Sequence, residues 1–188
     1  LDYYFIMPLN ISKKNSICEV TIESQKVNLL NEEFLKDFTV HISQISEDES
    51  IKVIIIKSNI PDHFLGGIDE EHDYSANELD DIYKWLWRSV YAVASCKIPI
   101  ISLCNGRVLA EGVSIFLASD FIISTEKTSL KLSNRESSNH IGISFLRRFL
   151  SQKTLLKISM TNKEIDSKEL NINKVFYSMH QTEDMMLD

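Results

Sequence analysis

Residues 97–125 read KIPIISLCNGRVLAEGVSIFLASDFIIST, and this stretch decides the fold class. Lys97-Ile98-Pro99 ends any helix that precedes it, because proline cannot continue one and restricts the residue before it. Ile100 to Cys104 is a short apolar run of the kind buried inside a sheet, and Asn105-Gly106 closes it with a turn. Gly112 to Ser119 is apolar on all sides, the pattern of a buried helix. Asp120 to Thr125 returns to β-branched residues and predicts another buried strand. Strand, helix, strand at this spacing predicts parallel pairing through a right-handed crossover.

The same alternation extends in both directions. Ser16 to Glu23 alternates apolar and polar residues, a half-buried strand. Asn31 reads as a helix N-cap, followed by Glu32 and Glu33 at the positive end of the dipole. Phe34, Phe38, Ile42 and Ile45 continue that helix to Ser46. Ile51 to Lys57 is a strand covered on both faces; Ser58 to Asp69 is turn-rich. Asn77 to Cys96 is helical, with Leu79, Ile82, Tyr83, Leu86, Val90 and Val93 along one side, and Trp85 and Trp87 are read as packing residues. Gly142 to Met160 predicts one or two helices, and Lys174 to Met179 a last strand. The fold class is α/β. A chain of 188 residues predicts one domain over 1–188, with 1–15 as a disordered or artefactual N-terminal extension.

A formal charge of −7 argues against a nucleic-acid partner, whose phosphates demand a basic face. No apolar run approaches the length of a membrane span. Cys18, Cys96 and Cys104 are odd in number, widely spaced and without a C-x-x-C pair. They predict free thiols in a reducing, cytoplasmic setting, with no disulfide and no metal site.

Three segments together resemble the crotonase (enoyl-CoA hydratase/isomerase) superfamily. Phe64-Leu65-Gly66-Gly67-Ile68-Asp69 is similar to its F-x-x-G-x-D turn. Lys97 to Gly106 is similar to its K-P-x-I-A-x-x-x-G strand and turn. Ala110 to Asp120 is similar to its G-G-G-x-E-L-A-L-A-C-D helix. Asn28-Leu29-Leu30-Asn31 resembles the N-A-L-N turn before the family's first helix. The resemblance runs from about Ile17 to Phe176. It implies a ββα spiral core, with the family's C-terminal helical region truncated or absent here. It also implies two backbone N–H groups, those of Ile68 and Glu111, aimed at one thioester oxygen where negative charge develops. Asn28, Leu29, Gly66, Gly67, Asp69, Gly112 and Ser114 are the residues expected around the substrate. Asp69 and Asp120 are expected to hold turns.

The chain departs from the family at the acids. Ser114 stands where the family hydratases carry one glutamate, and Asn134 where they carry the other; neither is a good general base at neutral pH. Glu111 replaces a glycine at the second donor. Its carboxylate would either repel a forming enolate or be recruited as a base. Glu136 and His140 are further candidates for proton transfer, and His63 and His72 flank the turn. Within the superfamily the chain resembles the enoyl hydratase-like dehydratases of polyketide β-branching cassettes. They too have a non-acidic residue at the Ser114 position, and their ends resemble Phe145 to Phe149 and Leu155 to Ile165.

The resemblance thus implies an acyl-thioester hydratase or dehydratase working through an enolate, on CoA or on an acyl carrier protein, with no cofactor and a trimeric or hexameric assembly. Two alternatives stand beside it: a non-catalytic binding or scaffold protein, and a decarboxylase that needs no glutamate pair. An open site with converging N–H groups favours chemistry; a site filled by Glu111 or Leu109 does not.

Overall fold

Asn15 and Ser16 both adopt left-handed backbone, at φ 51° and 64°, and so turn β1 (Leu9–Lys14) back onto β2 (Ile17–Ile22) as an antiparallel hairpin. A pair of positive φ values is what a two-residue hairpin turn with the sheet's own twist requires. In this computed structural model the described residues are 9–23, 27–69, 72–132, 141–182 and 184–186. Residues 9–14 were expected in an unstructured extension. They are the edge strand of a sheet, because Leu9 and Ile11 pack against the core.

The remaining elements follow in a repeating order. After α1 (Glu32–Ser46) come β3 (Val53–Ser58), β4 (His63–Leu65) and α2 (Ala76–Ala94). Then come β5 (Ile100–Cys104), β6 (Arg107–Leu109) and α3 (Gly112–Leu117), and then β7 (Phe121–Thr125), β8 (Ser129–Lys131) and α4 (Ile141–Leu146). Each turn of this spiral gives one strand to each of two sheets and then a helix. The large sheet has the order β1-β2-β3-β5-β7-β10, with every pair after the hairpin parallel, and the small one β4-β6-β8-β9. The chain closes with α5 (Gln152–Thr161), β9 (Ile165–Asp166), α6 (Ser167–Ile172) and β10 (Ser178–His180). The last strand was expected from Lys174; it starts four residues later, after a turn in which Lys174 takes φ 57°.

Local chemistry explains the main elements. Asn31 caps α1 as expected, accepting the Phe34 N–H at 2.8 Å, a contact worth about 1 kcal/mol. Ser75 and Glu78 form a reciprocal capping box on α2. Phe34, Leu35, Phe38 and Ile42 of α1 are fully buried with Ile82 and Leu86 of α2, and the Thr39 and Ser89 hydroxyls join the two helices at 2.9 Å. Trp87, expected to pack, is 53% exposed; Trp85 is partly buried with the Arg88 guanidinium over its ring. Asp120, expected to hold a turn, instead ties the start of β7 to the start of β5, accepting the Ile100 N–H through Oδ2 at 2.9 Å. Cys18 and Cys104 are buried thiols, and burial pushes Cys104 up to about 12 despite its contact with Thr128. Among the described residues no helix is long and apolar enough to cross a membrane.

Candidate active site

Three segments distant in sequence meet at the end of the small sheet. Asn28 takes left-handed backbone at φ 54°, and its side-chain amide donates to Ser58 Oγ and to the Phe64 carbonyl, both at 2.8 Å. It is fully buried, so what it holds is the turn after β4. The next residues complete the attachment. Gly66 N–H donates to the Asn28 carbonyl at 2.9 Å, Leu30 N–H donates to the Gly67 carbonyl at 2.8 Å, and Leu30 bridges to Ile68. Those bonds use up one edge of residues 66–68 and leave the Ile68 N–H facing the other way, toward α3.

The third segment is set by a close approach. A Cβ on Gly112 would lie 2.3 Å from the Gly66 carbonyl oxygen. Only glycine lets α3 sit so near the turn. Gly112→Ala should therefore force α3 back and lower stability by about 2 kcal/mol, the usual cost of overpacking; chemical denaturation checks it. Ahead of α3, Ala110 takes φ 48° and donates its N–H to the Lys131 carbonyl at 2.7 Å. This places Glu111 at the N-cap, with its N–H 3.8 Å from where a Cβ on Gly67 would stand. The Glu111 N–H thus comes close to Gly67, the residue just before Ile68.

The side chain of Glu111 does not cap its own helix. It reaches across to the turn, where Oε2 accepts the Ile68 N–H at 3.1 Å, while Oε1 lies 3.5 Å from the Tyr83 hydroxyl of α2. Glu111 is 6% exposed and is the sole charged residue among the buried described residues. It forms no ion pair with a described residue. A carboxylate oxygen therefore occupies the acceptor position in front of the Ile68 N–H.

The other expected residues take different places. Ser114 is fully buried, and its hydroxyl donates to the Glu111 carbonyl, so it locks the start of α3. Leu29 and Asp69 line a neighbouring cavity of 330 Å³ with Leu30, Ile82, Tyr74 and His72. Burial, followed by the Asp69 and Glu78 carboxylates, holds the Tyr74 phenol above its usual range. His63 stays on β4, with Nδ1 3.4 Å from the Pro61 carbonyl oxygen. Asn134, Glu136 and His140 lie outside the described residues. No group of His, Cys, Asp or Glu able to hold a metal occurs among the described residues. Tyr83 was read only as part of the apolar side of its helix. The one sequence signal for its position is a phenol among aliphatic residues at helical spacing.

The sequence profile of the enoyl-CoA hydratase/isomerase family matches residues 12–175. The fatty acid oxidation complex subunit alpha of Vibrio parahaemolyticus is 24% identical over 170 residues, which cover 86% of this chain. The chain spans about a quarter (24%) of that protein's length. Among solved structures, the enoyl-CoA hydratase of Bacillus anthracis superposes with a TM-score of 0.87 at 17% identity, over 95% of this chain and 71% of that one. The enoyl-CoA hydratase from Bacillus halodurans gives 0.85 at 20% identity, over 95% and 74%. The two structures show the shared fold, with its two sheets and its spiral of strands and helices. Together with the profile match across most of the chain, they place this protein in the enoyl-CoA hydratase/isomerase family, within the crotonase superfamily.

Proposed function

We propose that this chain is a thioester-directed enzyme of hydratase or dehydratase type, in which the acyl carbonyl oxygen sits on the Ile68 N–H and gains negative charge there as an enolate forms. The observation that supports it is the bond from the Ile68 N–H to a buried carboxylate oxygen at 3.1 Å. That donor is already presented to an anionic oxygen away from water, the condition under which such donors contribute most to catalysis. The acyl group belongs to CoA or to a carrier-bound phosphopantetheine. Dehydration of a carrier-bound hydroxyacyl group of the polyketide kind falls within this proposal, as does assembly into trimers or hexamers.

The same carboxylate favours a second reading, a non-catalytic thioester-binding or scaffold protein, because it occupies the position the substrate oxygen needs. It disfavours decarboxylation, since a substrate carboxylate would enter beside a buried carboxylate that no described cation pairs with.

Calorimetric titration with enoyl-CoA, 3-hydroxyacyl-CoA and the matching pantetheine and carrier-protein thioesters tests the proposal on wild type and Glu111→Gly. A hydrogen bond to a charged group is worth about 1.5–3 kcal/mol, so its removal as a competitor should tighten binding by roughly ten- to a hundredfold. Binding by wild type with turnover supports the enzyme; binding without turnover supports the scaffold. Failure of both proteins to bind any thioester rejects a thioester site.

A further inference from the structure

We infer that Glu111 is the catalytic proton-transfer residue of this site, and that Tyr83 positions it. The inference rests on the thioester reading above. A buried carboxylate that forms no ion pair with a described residue is costly to keep, and here its two oxygens are held by hydrogen bonds from the turn and from α2. Among the described residues around it, the other polar groups are engaged elsewhere. Ser114, at the position of a family acid, is fully buried with its hydroxyl committed to the Glu111 carbonyl. Asp69 and His72 belong to the neighbouring cavity, and neither is buried.

The two carboxylate oxygens have separate anchors, and this allows one residue to serve twice. Oε2 rests on the Ile68 N–H and Oε1 faces the Tyr83 hydroxyl. When a thioester oxygen takes the Ile68 N–H, the carboxylate retains Tyr83 as its anchor and Oε2 is released beside the new occupant. The α-carbon of a thioester is two bonds from its carbonyl oxygen, so the freed Oε2 lies next to the α-hydrogen. The α C–H bond breaks, its proton passes to Oε2, and its electron pair forms the C=C bond of the enolate. The carbonyl π pair moves onto the oxygen held by Ile68. Return of the proton from the Glu111 carboxyl regenerates the thioester with no other reactant. In D2O the cycle exchanges the α-hydrogen for deuterium.

One residue therefore acts on binding and on turnover with opposite sign. It competes with the substrate for a donor at rest and takes the proton once displaced. The test measures α-hydrogen exchange of butyryl-CoA and butyryl-pantetheine in D2O by NMR, with calorimetric Kd values and melting curves for each protein. Glu111→Gln should slow exchange at least about a hundredfold, the lower range for loss of a general base, while binding is unchanged or tighter. Tyr83→Phe should lower the exchange rate about tenfold with Kd and melting temperature kept, a split that a merely structural role would not give. The inference is overturned if Glu111→Gln exchanges at the wild-type rate. It is equally overturned if Glu111→Gln and Glu111→Gly both exchange faster than wild type, or if wild type binds the thioesters and exchanges nothing. Absence of binding in wild type and in Glu111→Gly alike is a separate result, and removes the thioester reading itself.

Discussion

Gly106→Ala is expected to lower the stability of the fold by about 4 kcal/mol, combining the strain of a non-glycine residue in disfavoured backbone with overpacking. Gly106 has φ +130°, and a Cβ there would stand 2.2 Å from the Asp62 carbonyl carbon, 2.4 Å from its oxygen and 2.5 Å from the His63 nitrogen. All three are backbone atoms, so no side-chain rotation relieves the clash. The chain passes at this point from the large sheet into β6, directly under the loop that enters β4. The Arg107 N–H donates to the Asp62 carbonyl at 2.9 Å, and His63 pairs with Arg107. Separating these strands opens the small sheet and with it the turn that carries Ile68. A loss of this size is a large part of a domain's total stability and lowers the melting temperature by roughly 10 °C for a chain of this length. Urea denaturation checks it, and a change below about 1 kcal/mol would show that the loop yields freely.

Phe64→Ala carries the second large effect. Phe64 is 1% exposed, and its ring packs edge-on against Phe116 of α3 with centroids 5.4 Å apart. Its carbonyl accepts from the Asn28 amide at 2.8 Å. One residue thus ties α3, the turn after β4 and the segment before α1, the three parts that meet at Glu111. Truncation of a buried phenylalanine costs about 3–5 kcal/mol, and thioester binding should weaken with it. Phe64→Leu retains much of the volume and should recover more than half of the loss. If alanine and leucine lose stability alike in thermal melts, the ring contact with Phe116, and not the filled volume, carries the effect.

What the sequence makes legible here depends on whether a residue's effect is local. Asn31 caps the helix that follows it and Pro99 ends the one before it, so α1, α2 and β5 fall where periodicity and punctuation put them. The small sheet had no such signal. Its strands are two or three residues long, too short for any period, and they form because the spiral brings them together. β1 was missed because its turn is Asn15-Ser16, without the glycine that marks most two-residue hairpins. At the site, the family resemblance of three motifs pointed to segments that the fold brings together. The direction of the Glu111 side chain was not, since the choice between its own helix and the Ile68 N–H is made by tertiary packing. Tyr83 entered the site for the same reason, from a helix that sequence assigns only to the core.

The meeting of residues 28–30, 66–68 and 110–112 also bears on how the protein is made. Each of these segments is about forty residues from the next, and every strand of the large sheet after the hairpin is joined in parallel through a long connection. Such long-range pairing raises contact order and slows folding, since chain entropy is lost before the contacts that compensate it form. On a ribosome that delivers the chain from its N-terminus, the hairpin and α1 emerge well before Glu111 is synthesised. The Ile68 N–H therefore waits unpaired until α3 docks. Protection of that single amide from hydrogen exchange should be among the last to appear in refolding, and would time the completion of the fold.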